Sequence, residues 1–395
     1  MVLMYNSIAK RSIQMAEKVR IGVIGVEGRG RIADHWAEDP RAVIAGGADV
    51  DEKALESFRG RHGGGVCVTN DYRELLARSD IDAIAVTSPD YCHEEQVIAA
   101  LSAGKDVFSE KPLAISTEGC DRILRGWKRS GRHLMVGFNM RCMGMFQQMK
   151  AIVDSGEIGE IKAVWVRHFV GAGGDFYYRD WHANQQNTNS LLLQKGSHDI
   201  DMIHWITGQY TQKAAAFGGL DYYGGEEPDD LTCSDCSKKG SCPEASINPR
   251  QQCVFRREVN VEDNQVVILE LEGGTKASYL QCHFTPDYHR NYCFIGTKGR
   301  LENSEPEMKI RLWRRVRGGL QQFPDATYDV VAAEGGHGGA DPALCSRFLD
   351  YLLKGEAPVA DPVAGRMAVA AGCAAAESLR SGGIPVTLGG LPVFY

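Results

Sequence analysis

The chain has 395 residues, 43% hydrophobic and 24% charged, with a formal net charge of −7. That length exceeds what one core usually serves, so two domains are expected, and the composition is that of a globular chain. With 44 basic against 51 acidic residues and no long basic block, nucleic acid and anionic membrane surfaces are excluded as partners.

Residues 1–18, MVLMYNSIAKRSIQMAEK, contain neither a continuous apolar segment nor paired arginines, and they read as an N-terminal extension rather than an export signal. No apolar run further along reaches the length of a membrane span. The 12 cysteines are scattered apart from one cluster, which suits a reducing compartment, so a cytoplasmic location is expected.

From 19 to 140, the strand-like runs VRIGVIG, AVIAGGAD, IDAIAVTS, KDVFSE and HLMVGF alternate with amphipathic stretches such as RIADHWAED and HEEQVIAALSAG. Such alternation predicts a parallel sheet covered by helices on both faces. From 141 to 395 the pattern changes. EIKAVWVRHFV, NQVVILELEG, TKASYLQCHFT and HRNYCFIGTKGRLE are longer runs with partial alternation, which predicts an antiparallel sheet with one face exposed or covered by a partner. ADPALCSRFLDYLLKG and DPVAGRMAVAAGCAAAESLRSGG predict two terminal helices, each opened by an Asp N-cap with Pro at the first helical position. The fold class is α/β: an N-terminal Rossmann domain with a parallel sheet, then an α/β domain with an open, mostly antiparallel sheet.

The opening stretch VRIGVIGVEGRGRIADHW has the form strand, glycine-rich turn, helix. A Gly-x-Gly-x-x-Gly fingerprint started at Gly25 meets Glu27 where the second glycine should stand. Gly25 permits the tight turn, Gly28 adds backbone freedom, and Gly30 lets the helix pack on the strand. The turn also carries Arg29, a further candidate for binding the cofactor, and the helix start offers N–H groups to a pyrophosphate. Glu27 can point outward while its N–H still faces phosphate. Asp49 ends the next strand, about twenty residues on, where a carboxylate accepts from a ribose hydroxyl and repels a 2′-phosphate, favouring NAD over NADP. Asp49 could instead cap the following helix, although Asp51 is better placed for that.

In AGKDVFSEKPLAIS, Lys111 lies just past the C-terminal edge of a predicted parallel strand, where open α/β sheets bind ligands. Pro112 biases it towards an extended backbone. A lysine desolvated there would have a lowered pKa and could exchange a proton with a substrate hydroxyl; the alternative is a surface ion pair with Glu110.

Through GVIGVEGRG, SPDYCHEEQVIAALSAGKDVFSEKP, VGFNMR, QKGSHDIDMIHWITG, IGTKGRLEN and GGADP, the chain resembles the Gfo/Idh/MocA family from residue 19 onward. The family is named for glucose–fructose oxidoreductase, inositol dehydrogenase and a rhizopine catabolism protein. The resemblance implies that Lys111 is the catalytic lysine, followed by a cis proline bond. It places Ser88, Pro89 and His93 beside the nicotinamide, Glu110 beneath it, and Asn139 and Arg141 at the domain junction, within reach of substrate. It also implies terminal helices packed back on the first domain, and homodimers or homotetramers paired through the second sheet.

SLLLQKGSHDIDMIHW is predicted as one helix, with Gln194 and Lys195 on the same face as His198. In the inositol dehydrogenase branch an Asp stands four residues before that histidine. Gln194 cannot carry a proton, so proton transfer falls to Lys111 and His198, with Lys195 bonding a substrate oxygen or lowering a neighbour's pKa. Asp201 is expected to pack behind them. DFYYRDWHANQQN mixes aromatic, cationic and amide groups as sugar sites do, making Tyr178, Arg179, Trp181 and His182 pocket candidates; a subunit contact is the alternative.

An insertion at about 226–256 holds Cys233, Cys236, Cys242 and Cys253, whose opening Cys-x-x-Cys suits a structural zinc site although the second pair is more loosely spaced; an iron–sulfur cluster, free thiols and a disulfide are the other readings. The expected function is NAD-dependent oxidation of a secondary hydroxyl of a sugar, glycoside or cyclitol, a glycoside C3 hydroxyl being preferred. Two rivals stand beside it: a glycosidase that keeps its NAD through transient oxidation and elimination, and a catalytically inactive sugar- or nucleotide-binding regulator, suggested by Glu27.

Overall fold

The computed structural model describes residues 18–246, 248–331 and 334–392. All but the last residue of the expected N-terminal extension therefore lies outside the described residues.

Six short strands form the first sheet: β1 (Val19–Ile24), β2 (Ala42–Ala48), β3 (Cys67–Thr69), β4 (Ala83–Val86), β5 (Asp106–Ser109) and β6 (Leu134–Val136). Their order is β3-β2-β1-β4-β5-β6, all neighbours parallel. The order reverses between β1 and β4, so the loops at their C-terminal ends part there and leave a crevice. The strands are apolar on both faces because helices cover both, as the alternating pattern predicts. β3 is too short to leave a periodicity in the sequence, and it was not expected.

The second sheet has nine strands: β7 (Ile161–Phe169), β8 (Thr211–Gly219), β9 (Asn264–Leu271), β10 (Lys276–Cys282), β11 (His289–Gly296), β12 (Gly299–Ser304), β13 (Lys309–Arg314), β14 (Ala326–Asp329) and β15 (Val386–Thr387). The order is β14-β13-β12-β11-β7-β10-β9-β8-β15, antiparallel except where β7 meets β10. One face is packed. Along β9, Val267, Leu269 and Leu271 are buried while Val266 and Ile268 are exposed. With Phe217 of β8 and Ile295 of β11 also exposed, the outer face carries apolar side chains on β8, β9 and β11.

Of the two terminal helices, Pro362–Arg380 starts as predicted, with the Asp361 side chain accepting from the Ala364 N–H. The other, Ala340–Lys354, starts two residues earlier than expected, behind Gly339, so Asp341 is inside the first turn and does not cap it. Its carboxylate is taken instead by Arg29, Asn139 and His337. This helix packs on the first sheet, where Phe348 meets Trp36 and Phe108. Among the described residues no helix is long and apolar enough to cross a membrane.

Candidate active site

The glycine-rich turn closes on the loop after β4. Gly25 has φ +84°, and a Cβ there would lie 2.6 Å from the Ser88 amide nitrogen. A Cβ at Gly30 would lie 2.1 Å from the Gly25 carbonyl oxygen, so both positions need glycine. Glu27 is exposed and makes no side-chain bond to the helical turn that follows it. The Val26 N–H donates to Asp49 Oδ2 at 2.9 Å, and Asp51 caps the next helix, accepting from Lys53 N–H at 2.8 Å. Asp49 thus holds the turn and keeps lone pairs for further donors. The cradle fits a dinucleotide: two glycines where side chains would fill the space, and a carboxylate at the end of β2.

Arg29 was expected to face the cofactor. Its guanidinium is instead committed to carboxylates: Nε donates to Glu110 at 2.6 Å, and Nη1 and Nη2 to Asp341 at 2.7 and 2.9 Å. It ties the turn to the corner after β5 and to the terminal helix. Asn139 joins the same knot, donating to Asp341 at 3.0 Å. His93 is a second tie. Both ring nitrogens meet backbone carbonyls, Pro112 at 2.7 Å and Ser88 at 2.8 Å, so this buried ring fixes the two loops rather than offering a free nitrogen to a ligand. Ser88 Oγ donates to Gln96. Pro89 begins the short turn Asp90–Cys92.

The Lys111–Pro112 bond is cis. Lys111 Nζ donates to the Gln194 carbonyl at 2.6 Å. That carbonyl lies where the expected single helix is broken: Leu191–Gln194 and Gly196–Thr207 are separate helices, with Lys195 between them at φ −105°. The break brings Gln194, Lys195 and His198 to Lys111 by another route than shared helical periodicity.

Burial lowers the pKa of Lys111, with Arg29 and Arg290 adding to the effect and Asp90 and Glu110 opposing it. Burial also pushes the Asp90 carboxyl up, against the pull of Lys111. Asp90 is 4% exposed and its Oδ2 has no hydrogen-bond partner. The sequence reading passed over Asp90, although it stands between two residues that were singled out, Pro89 and His93. His198 is held neutral by burial and by the charges of Lys111, Arg290 and Lys195, and its Nδ1 has no partner. Gln194 Oε1 and Ser197 Oγ are likewise buried and unpartnered. Buried polar groups are normally satisfied, so the unpartnered atoms of Asp90 and His198 around Lys111 mark where a ligand rich in hydroxyls would supply the missing bonds.

Five further groups close the cleft from the second sheet and its approach: Tyr177, His168, His283, Tyr288 and Arg290. Lys195 Nζ lies over the rings of Tyr177 and Tyr288, at 5.6 and 5.5 Å. His168 and Arg290 were not legible in the sequence, because strand alternation shows a face without saying what it meets; Tyr177 falls in the DFYYRDWHANQQN segment, beside the Tyr178 chosen from it.

Other candidates fall elsewhere. Tyr178 is buried, stacks on Tyr223 at 4.1 Å and donates to the Glu262 carbonyl. Arg179 is 2% exposed and donates to Asp175 and to backbone carbonyls of the insertion. The mixed polar and aromatic composition that suggested a sugar pocket serves, in these two, to anchor the insertion. Trp181 and His182 stay near the cleft, stacked at 3.7 Å, with Trp181 edge-on to Tyr91 and His182 bonded to Asp180. Arg141 forms a two-pronged ion pair with Asp201, at 2.7 and 2.9 Å, and donates to the Val359 carbonyl. It fastens the helix Gly196–Thr207 to the junction.

The zinc expectation is not supported. All four cluster cysteines are free thiols, and among the described residues no group of three or more His, Cys, Asp or Glu side chains is placed to hold a metal. Cys233 Sγ instead accepts from Arg179 Nη1 and the Ser246 N–H, both at 3.4 Å, so the sulfur is part of the insertion's own packing.

A nucleotide turn at a sheet's switch point, with a lysine of lowered basicity at its side, belongs to an enzyme that moves a hydride and a proton together, an oxidoreductase. Residues 19–138 match the oxidoreductase family with an NAD-binding Rossmann fold, and residues 146–302 match the Gfo/Idh/MocA C-terminal domain; the chain belongs to the Gfo/Idh/MocA family of oxidoreductases. It is 27% identical over 349 residues to YteT of Bacillus subtilis (strain 168), assigned as an oxidoreductase, covering 78% of this chain and 81% of that one. It is 31% identical over 141 residues to inositol 2-dehydrogenase of Salmonella typhimurium (strain LT2), but that match spans 35% of this chain and only 39% of the relative. In fold it is similar to levoglucosan dehydrogenase in complex with NADH and L-sorbose (TM-score 0.77, 18% identity, 94% and 99% of the two chains). It is also similar to scyllo-inositol dehydrogenase of Lactobacillus casei with NAD(H) and scyllo-inositol (TM-score 0.71, 21% identity, 94% and 99%).

Proposed function

We propose that this oxidoreductase uses NAD to oxidise a secondary hydroxyl of a sugar, glycoside or cyclitol, and that a glycoside C3 hydroxyl is the first to test. The observation that carries the reading is the meeting of Lys111, held by the Gln194 carbonyl and its basicity lowered by burial, with Asp90 and His198, each of which has an unpartnered polar atom. The inositol 2-dehydrogenase relatives and the cyclitol and sugar ligands of the fold neighbours point the same way.

Gly25, the backbone of Glu27 and Gly28, Gly30 and Asp49 would hold the dinucleotide. When bound, NAD supplies the acceptor for the substrate's hydride. Lys111 in its neutral form takes the hydroxyl proton, and the Gln194 carbonyl keeps its Nζ in place. His198, neutral and with Nδ1 free, hydrogen-bonds a substrate hydroxyl. Gln194 orients but does not titrate.

Subunits pair through the outer face of the second sheet, as a homodimer or homotetramer. Phe217 and Val266 are paired neighbours across β8 and β9, and with Ile268 they leave an apolar strip in water that association would bury. The free thiols at all 12 cysteines favour the cytoplasm as the setting.

The test follows NADH absorbance with a panel of glycosides and inositol isomers. Accumulation of NADH with at least one, abolished in Lys111→Met, is the expected result. Product release without net NADH would move the assignment to the NAD-retaining glycosidase, and no response to NAD in thermal unfolding would move it to a regulator.

A further inference from the structure

We propose that the sugar taken by this cleft carries a carboxylate, held by Lys195 and Arg290 at the ring of Tyr288. The inference rests on the reading of the cleft as a carbohydrate-oxidising site and narrows its substrate class to uronates.

Tyr288 is 48% exposed, so its ring stands where the cleft meets solvent. Two cations lie against it, Lys195 Nζ at 5.5 Å from the ring centre and the Arg290 guanidinium carbon at 5.9 Å. Among the described residues no carboxylate pairs with Lys195; its ammonium has only the ring faces of Tyr177 and Tyr288. Arg290 is 6% exposed, and its Nη2 is buried with no partner. A buried guanidinium N–H without an acceptor is expensive unless something binds there.

The neighbouring anions are already used. Asp199 lies 3.4 Å from Arg290 Nε, but it also accepts from His168 Nδ1 at 2.9 Å, from Tyr279 at 2.8 Å and from Tyr292. Glu305 Oε2 accepts the Arg290 backbone N–H at 2.8 Å. Asp90 lies on the Lys111 side of the cleft, its carboxyl pushed up by burial. Burial lowers the pKa of Lys195, with Arg290 and Lys111 adding to it, as fits an ammonium short of an anion.

His168 decides which anion. Its Nδ1 lies 2.9 Å from Asp199 and 3.3 Å from the Arg290 Nε–H; the shorter contact, to an ionised carboxylate, puts the ring proton on Nδ1, and burial keeps the ring neutral, pushed down to about 3. Its Nε2 is then an unpartnered lone pair, in a ring 5.4 Å from that of Tyr288. A lone pair beside two cations fits a carboxylate with a hydroxyl next to it. A phosphate ester would set a second negative charge against that lone pair.

The test is calorimetric binding in the presence of NADH. It compares methyl galactoside and methyl glucoside, the corresponding C6 carboxylates, and the corresponding hexose 6-phosphates. The expected result is a uronide bound about tenfold or more tighter than its neutral parent, as one charge-assisted hydrogen bond suffices to give. Lys195→Met should remove that preference and Lys195→Arg should keep most of it, which a merely structural role for the side chain would not produce. Equal affinity, tighter binding of the phosphates alone, binding of none, or a preference that survives Lys195→Met each overturns the proposal. Oxidation of neutral sugars with no preference for uronides leaves the dehydrogenase reading standing without this one. Uronide binding with no NADH formed from any sugar does the reverse.

Discussion

Lys111 Nζ lies 2.6 Å from the carbonyl oxygen of Gln194, 83 residues further along the chain. That bond joins the corner after β5 to the break between two helices, and it fixes the base at the place where substrate would bind. Lys111→Met should therefore lower kcat/KM by about a hundredfold or more while leaving NADH affinity within about threefold. NADH fluorescence titration beside steady-state kinetics checks it. A comparable loss of cofactor affinity would make Lys111 a cofactor anchor instead.

Asp90 favours the protonated form of Lys111, while burial opposes it. Replacing the carboxylate with an amide removes the favourable charge, so the neutral base should appear at lower pH. In Asp90→Asn the acidic limb of kcat/KM should shift towards lower pH. A limb that stays in place or rises would show that the two groups do not share a proton equilibrium.

Glu27 is exposed, with no bond to the turn it occupies. Glu27→Gly should leave NAD affinity within about threefold, since an exposed side chain with no bond to the turn leaves the backbone N–H groups free to meet phosphate. A large gain on substitution would mean that the carboxylate does press on the pyrophosphate.

Asp341 accepts from Arg29, Asn139 and His337, linking the nucleotide turn to the terminal helix. Arg29 retains 26% side-chain exposure, so the loss in Asp341→Ala should fall at the low end for a broken buried pair, about 3 kcal/mol. Urea unfolding of the variant measures it; a loss of only a few tenths would make the knot incidental.

His168 and His204 are each pushed down to about 3 by burial. Folded, both are neutral; unfolded, they protonate below about pH 6.5, so the unfolded chain binds more protons as pH falls. Stability should thus drop from about pH 6.5 downwards, by about 1.4 kcal/mol per pH unit for each such histidine. His204 bonds Thr211 at 2.7 Å, away from Lys111, so His204→Gln should flatten the dependence without touching the proposed chemistry. An unchanged slope in urea midpoints would remove His204 from the account.

The sequence alone determined what is local. Gly25 and Gly30 in one turn, Asp51 as cap, the apolar strands around them and the Glu110-Lys111-Pro112 corner each follow from a few neighbouring residues, because backbone conformation is set at that range. Tertiary structure alone decided which side chains meet. Arg29 turned to Glu110 and Asp341, and Arg179 into the insertion. Asp90, Tyr177, His168, Tyr288 and Arg290 came together from separate loops and strands. The expected helix broke at Lys195, where its neighbour's carbonyl is bonded by Lys111. A side chain's partner depends on strand register and on how layers pack, sums over contacts far apart in the chain, and no short stretch of residues contains them.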